Sequence, residues 1–352
     1  MQALYDQLQH KEKIHVNKGV DFIMDKQNSV LVKCVDGTTY RGDIVIGADG
    51  IHSRVRQEMQ RLAPFELTKN DKRSITAEYV CFFGVSKPIP ELVDGDLHTV
   101  FEIDHSALLF VGNDSLPLWF FIKKMEKKYY ADEIPRFSSK EMEEQTLKHG
   151  DFQFCKGITL KELMDTRTAL SYLALEEANH EVWTYKRIVC LGDSIHKMTP
   201  NLGQGGNQAI EGAAVLTNCL LEMLERTKGD AVALEKIEHI LLKYQKLREK
   251  RAKNFIDVSG LVTRDEAMAT LRHTLRFLYM PLPSSEMLAG RLMHDASSCE
   301  LVLMVEQIFK LKCTRRRRVS SICHFRLVWL RTKFGNKGHR TRKYQSFLEL
   351  SR

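Results

Sequence analysis

The stretch 187–218, RIVCLGDSIHKMTPNLGQGGNQAIEGAAVLTN, decides the fold. Ile188 to Leu191 is a short apolar run with β-branched members, the pattern of a buried strand. Gly192-Asp193 ends it, and Pro200, Gly203, Gly205 and Gly206 then fall within seven residues. Asn207 reads as the N-cap of a helix running to about Leu224, and the small residues at 209, 212, 213 and 214 let a ligand or backbone approach that helix closely. Strand, acidic turn, Gly-rich loop and helix N-terminus together make a site for an electron-rich group, because the loop amides and the positive end of the helix dipole point one way. The loop lacks GK[ST], so nucleotide-triphosphate chemistry is not indicated.

Upstream lies a second unit of the same kind. Asp43–Ala48 is nearly all apolar, as a strand covered on both faces should be. It runs into GADGIHSRVRQEMQ (47–60), where Asp49-Gly50 makes the turn and Ser53 is a candidate N-cap. Arg54 and Arg56 fall in the first helical turns, either as solvated side chains or as cofactor contacts.

These two stretches, in this order, resemble the signatures of FAD-dependent monooxygenases of the aromatic-hydroxylase superfamily. The wording of 192–218 is most similar to the fungal members that epoxidise prenyl chains in meroterpenoid and indole-diterpene biosynthesis. The resemblance implies that Asp193 hydrogen-bonds the ribityl chain of FAD. It implies that the amides of the loop and helix start Gly203, Gly205, Gly206 and Asn207 lie by the N1/C2 edge of the flavin ring, and that Pro200 also belongs to the cofactor-binding residues. It also places Asp49, Gly50 and, more weakly, Arg54 by the ribose and pyrophosphate. NAD(P)H would be the electron donor and O2 the oxidant. No catalytic side chain is named, because in such enzymes the cofactor carries the hard chemistry, and no metal site is expected.

The chain in order agrees with an α/β fold. Met1 to about Gln9 reads as helix, His15–Phe22 as a strand, and SVLVKCVDGTTYRGDIVIGADG (29–50) as a hairpin turning at Asp36-Gly37, with strands at Val30–Val35 and Asp43–Ala48. Residues 73–125 alternate strand patterns with turns and are dense in aromatics, which fits an antiparallel sheet with one face over an apolar ligand, or an ordinary core. Charged helices follow at about 138–149 and 159–168. Residues 231–264 are periodic at three to four residues, a long amphipathic helix whose basic run KLREKRAK reads as a solvated face. MPLPSSEM, around 281–287, marks a loop. The expected organisation is a partial FAD-binding domain (1–72), a mainly antiparallel substrate domain (73–182), the remaining FAD-binding segment and helix (183–228), C-terminal helices (229–311) and a basic tail (312–352).

That tail carries thirteen Lys and Arg against the single acid Glu349, whereas the rest of the chain carries 40 basic and 44 acidic side chains. The overall charge of +8 is therefore a property of the tail. Arg315–Arg318 with interleaved aromatics suits RNA, anionic lipid or nuclear import, but the tail resembles nothing in the family and is expected to lack fixed structure. Nucleic acid is not an expected partner, and peripheral membrane contact through the tail is a candidate. Eight scattered cysteines without CxxC or zinc spacing favour a reducing compartment. No run of 18 apolar residues and no signal-peptide pattern is present, so the expected setting is cytoplasmic, with contact to the endoplasmic reticulum membrane at most peripheral.

The superfamily opens with a βαβ unit bearing GxGxxG, and this sequence contains no such motif; the glycines at 203–206 follow a strand of another kind. The chain therefore resembles a member lacking roughly its first hundred residues, with an incomplete parallel sheet. Unpaired strand backbone and weak or absent FAD binding are the expected consequences. The implied function is epoxidation of a prenyl or terpenoid side chain. Aromatic hydroxylation, and an inactive relic unable to hold FAD, are the alternatives; binding of nucleic acid or membrane through the tail is a third.

Overall fold

A computed structural model of the chain describes residues 2–227, 232–279 and 327–330. After a short helix α1 (Gln2–Asp6), three strands form an antiparallel sheet in the order β1 (Val20–Lys26), β2 (Ser29–Cys34), β3 (Thr39–Gly42). The strand expected at His15–Phe22 starts later, because Asn17 at φ 61° interrupts the extended backbone. The Asp36-Gly37 turn is where the sequence puts it, with Gly37 at φ 83°, but it joins β2 to the short β3. The apolar strand β4 (Ile44–Gly47) leaves the hairpin for another sheet, where all four of its residues are buried.

Helix α2 (Arg54–Leu62) follows, capped by Ser53, whose hydroxyl accepts from the Arg56 amide at 2.9 Å. The one-turn α3 (Phe65–Thr68) leads into a large antiparallel sheet. Its strands are β5 (Ile75–Ser86), β6 (Leu97–Glu102), β7 (His105–Val111) and β8 (Pro117–Tyr130). Helix α4 (Ser139–His149), the small hairpin β9 (Gln153–Cys155) and β10 (Ile158–Thr159), and helix α5 (Leu160–Asp165) then cross one face of it. Both helices begin in reciprocal capping boxes, Ser138 with Glu141 and Thr159 with Glu162, which fixes their first turns. Strand β11 (Arg167–Asn179) re-enters the sheet beside β5, giving the order β14-β11-β5-β8-β7-β6 once β14 (His196–Lys197) is added. The antiparallel sheet expected from 73–125 is thus present, with a long return strand from beyond it.

The chain next forms β12 (Thr184–Tyr185) and β13 (Ile188–Cys190), the latter parallel to β4. Helix α6 (Gly205–Thr227) and the 33-residue α7 (Leu234–Glu266) pack together over this sheet, and α8 (Leu271–Tyr279) packs against α7. One cluster buries Ile44, Val45, Val55, Val189, Leu216 and Leu241 between sheet and helices. A second buries Phe82, Trp119, Phe121, Phe154 and Leu163 beneath the large sheet. Helix α7 is long enough to touch both halves: Ile237 and Leu241 belong to the first core, and Ala267, just past its end, packs with Tyr79 and Leu108 of the large sheet.

Leu327–Leu330, strand β15, lies parallel to β4 in register from Leu327↔Ile44 to Leu330↔Gly47. This corrects two expectations. The β4 edge is paired rather than bare, which answers the cost of orphaned strand amides and carbonyls. The tail 312–352 is also not wholly without structure, since four of its residues are a strand. The loop around 281–287 and the rest of the tail lie outside the described residues. The five described cysteines are free thiols. No helix among the described residues is long and apolar enough to cross a membrane.

Candidate functional site

Parallel strands β4 and β13 end side by side, with Gly47 opposite Cys190 and the Leu191 amide donating to the Gly47 carbonyl at 2.9 Å. Both sequence-predicted loops leave from this edge, the position outside the carboxyl ends of parallel strands where ligands of α/β folds bind. A buried cation holds them together. Arg56 is 3% exposed and donates from Nη1 to the Ser194 carbonyl at 2.6 Å and from Nη2 to the Ile51 carbonyl at 2.8 Å. Burial lowers its pKa, an effect offset in part by the charges of Asp49, Asp71 and Glu176. The Ser194 hydroxyl completes the joint by donating to the Gly47 or Leu191 carbonyl, at 2.8 and 2.7 Å.

In the first loop the candidates separate. The Asp49 carboxylate accepts from the Ser53 hydroxyl, from the Arg54 amide at 2.8 Å and from the Val55 amide at 3.1 Å. It is 7% exposed and serves as the anion at the N-terminus of α2. Gly50, at φ 84°, has open space where a Cβ would stand, so its backbone is the part of this turn that a ligand can approach. Arg54 turns away: Nε and Nη2 donate to the Asp21 carbonyl at 3.1 and 2.7 Å, and Nη2 pairs with Glu58. It ties α2 to β1 and does not join the other candidates.

The second loop keeps its candidates together. Gly192, at φ 64°, lets the turn press on α6, where a Cβ would come within 3.0 Å of the Ala209 Cβ. The carboxylate of Asp193 is about a third exposed and meets Lys197 Nζ at 2.5 Å. Pro200 opens a 3-10 turn that Gly203 closes at φ 62°, its amide donating to the Pro200 carbonyl at 2.8 Å. Helix α6 begins at Gly205, so Asn207 is its third residue rather than the N-cap; the Asn207 side chain donates to Gln204 Oε1 at 3.3 Å. The Gln208 amide bonds the Gln204 carbonyl. The amides of Gly205, Gly206 and Asn207 therefore come before the internal ladder of the helix and point out of its end. A Cβ placed on Gly203, Gly205 or Gly206 would meet nothing within 4 Å.

Behind this end, α6 is locked to α7. Arg248 is 1% exposed; its guanidinium pairs with Glu211 and donates to Gln208 Oε1 at 2.7 Å. Arg251 reaches the same Glu211 oxygen at 2.7 Å. Ser194, Glu211 and Arg248 were not singled out in the sequence, and Arg56 was read there only as a solvated side chain or a cofactor contact, not as the buried joint between the loops. The available signal was that Arg56 lies between Val55 and Met59, and Arg248 between Tyr244 and Ala252, on faces that helical spacing assigns to the core.

An open glycine cradle facing three helix-end amides fits the electron-rich edge of a flavin, and a part-exposed carboxylate beside it fits the hydroxyls of a ribityl chain. The residues present thus suit the flavin end of FAD. The architecture is that of the FAD-binding flavoprotein monooxygenases. The chain belongs to the FAD binding domain family, which matches residues 10–259, and the cofactor of that family is FAD. It is 38% identical over 285 residues to the FAD-dependent monooxygenase verC1 of Penicillium polonicum, covering 80% of this chain and 35% of the relative. It is likewise 38% identical over 280 residues to the FAD-dependent monooxygenase ptmM of Penicillium ochrochloron, covering 78% and 66%. The chain therefore spans between about a third and two thirds of the length of these curated relatives. In fold it resembles the R204Q form of Klebsiella pneumoniae HpxO complexed with FAD, with a TM-score of 0.58 at 20% identity over 82% of this chain and 68% of that one.

Proposed function

We propose that this chain forms the flavin-ring and substrate side of an FAD-dependent monooxygenase that uses NAD(P)H and O2 to epoxidise a prenyl or terpenoid side chain in fungal secondary metabolism. One observation carries the substrate class. Leu97, Phe110, Phe83 and Leu173 are 38–48% exposed and lie on one face of the large sheet. Register joins them into a stripe: Leu97 opposes Phe110, Phe83 opposes Phe120, and Leu173 opposes Cys81, two residues along from Phe83. The Phe83 and Phe120 rings are 4.7 Å apart. The same face carries Tyr79, Leu108 and Leu175 under Ala267, so it is the side turned to α7. A row of exposed apolar side chains without a charged member suits an isoprenoid better than a small phenol bearing ionised groups.

FAD, when bound, would carry two electrons from NAD(P)H to O2, one atom of which goes to the substrate while the other leaves as water. The chain's own residues divide the remaining work. The amides of Gly205, Gly206 and Asn207 stabilise negative charge on the ring edge. Asp193 and the Gly50 backbone hold the sugar and phosphate portion, Pro200 and Gly203 shape the turn, and the aromatic stripe orients the alkene and excludes water. Asp49 and Arg54 act one step back, as supports of α2. A cytoplasmic location, with peripheral contact of the basic segment 312–352 on the endoplasmic reticulum membrane, belongs to the same reading, supported by the concentration of positive charge there.

The test is retention of flavin and coupling to substrate. The purified chain and a form extended upstream with a GxGxxG unit are mixed with FAD, desalted and read in the visible range. Flavin held by the extended form, and weakly or not at all by the chain alone, is the expected result. In the flavin-bearing form, NAD(P)H oxidation should then accelerate with a compound bearing a terminal prenyl group. Acceleration by an unprenylated phenol instead would reassign the chain to aromatic hydroxylation, and no flavin in either form would leave it a relic.

A further inference from the structure

We propose that Ser259, Thr263 and Glu266 of α7 are positioning residues for the cofactor loop: they grip Thr199 and Asn201 and thereby set the direction of the amides at the start of α6. The proposal rests on the functional reading above only for what the loop receives. The three residues are spaced by four and three, so they share one face of α7. Ser259 and Thr263 are fully buried and Glu266 is 8% exposed. Buried polar groups are costly unless partnered, and the partners of these three are concentrated on one short segment.

The Ser259 hydroxyl donates to the Thr199 carbonyl at 2.6 Å, and the Thr199 hydroxyl lies 3.0 Å from Ser259 Oγ and 2.7 Å from Thr263 Oγ1. Asn201 is held at both ends of its amide. Its Oδ1 is 2.7 Å from Thr263 Oγ1, and its Nδ2 donates to Glu266 Oε2 at 2.5 Å. Apart from Met198, packed on Phe255 and Ile256, the turn has little apolar weight of its own to hold it. Three glycines follow within five residues, and such backbone is expensive to order. Because Asn201 sits inside the 3-10 turn that Gly203 closes, fixing its amide fixes the entry to α6.

Burial raises the Glu266 carboxyl to about 7, opposed by the Asn201 hydrogen bond and reinforced by the neighbouring charge of Asp265. Asp265 itself is engaged elsewhere, with His273 at 2.5 Å and Arg276 at 3.1 Å on α8. Arg264 is engaged with Glu78 and Glu177. Glu266 is thus the acid of this cluster given to the loop.

Amide hydrogen exchange on the full chain tests the grip without any ligand. In Glu266→Ala and Thr263→Val, peptides covering 199–207 should exchange roughly tenfold faster, the size expected for one net hydrogen bond, with the large sheet unchanged. Glu266→Gln keeps an oxygen for the Asn201 amide and should restore the wild-type rate, a rescue that simple loss of packing would not give. Equal exchange of 199–207 in all variants overturns the proposal, as does loosening in Glu266→Gln equal to that in Glu266→Ala. Should Glu266→Ala fail to fold, Thr263→Val and Glu266→Gln decide alone. FAD is then added to the form extended upstream with the GxGxxG unit: absence of any protection of 199–207 there counts against the functional reading, while the unliganded rates still judge the grip.

Discussion

Replacing Glu211 by Ala should cost about 3–5 kcal/mol, because it strands a buried guanidinium. Arg248 is 1% exposed and its side chain depends on two groups, the Glu211 carboxylate and the Gln208 amide oxygen. Burial lowers its pKa, and the Glu211 charge is the largest effect holding it up. Removing one partner of such a pair leaves the other charge in a poor solvent, and losses of about 3–5 kcal/mol are usual. Arg251, a quarter exposed, can turn to water when Glu211 is lost and adds little. Against a total stability of about 5–15 kcal/mol the loss is about a fifth or more. In urea, at a slope of about 3 kcal/mol per molar, the midpoint should fall by at least about 1 M with the slope unchanged. The paired change Glu211→Leu with Arg248→Met removes both charges. It should recover the loss to within about 2 kcal/mol, the residue being the Gln208 amide left without partners. A midpoint shift below about 0.3 M for Glu211→Ala, or a double variant no better than the single, would refute the claim that a stranded charge sets the cost.

Gly84→Ala should destabilise the large sheet by about 1–3 kcal/mol or more. The new Cβ would stand 2.2 Å from Trp119 Cζ2, and the indole cannot swing aside because Trp119 is fully buried and donates to Ser86 Oγ at 2.9 Å; thermal unfolding followed by tryptophan fluorescence checks it, and an unchanged midpoint would show the sheet gives way freely. Glu266→Gln tests a pH dependence. A carboxyl raised from 4.5 to about 7 keeps its proton in the folded state, so the folded chain binds more protons than the unfolded one between these values and stability falls as pH rises through that window. Gln mimics the protonated acid, so the variant should match the wild type near pH 4.5 and exceed it above pH 7.5 by an amount approaching about 3 kcal/mol; urea midpoints that run parallel at the two pH values would dismiss this.

Signals that act over a few residues were legible. Ser53 caps α2, Asp36-Gly37 turns a hairpin, the Gly192 and Gly203 turns take left-handed backbone, and α7 runs where the three-to-four periodicity put it. Each follows from the conformational limits or hydrogen-bonding reach of the residue itself. Pairing was less legible. The hairpin turn at Gly37 was read correctly, yet its second strand was assigned to β4 because the short β3, with one buried residue in four, carries little hydrophobic signal. Asn207 was read as a cap because Asn favours that position, but Gly205 and Gly206 are already helical, so the side-chain preference was outrun by the backbone.

The polar joints of the site fall in a third class, and Arg248 shows why. In KLREKRAK the basic residues read as a solvated face, yet Leu247 is 56% exposed and Arg248 is buried. Periodicity alone places Arg248 in line with Leu241, Tyr244 and Ala252, so its burial could have been inferred. Its partner could not, because Glu211 lies 37 residues earlier on another helix. Many acids in this chain would satisfy the charge equally well on paper. Asp49 poses the same problem at short range: a carboxylate before a helix can serve a ligand or the helix's own amides, and the residue types are identical in both cases. In the folded chain two amides and a hydroxyl already use its lone pairs. Spacing thus reports which side of an element is buried, whereas the partner of a buried polar group depends on how the elements are brought together. The function of such a residue, whether it holds the cofactor or the loop that holds the cofactor, becomes readable only at that level.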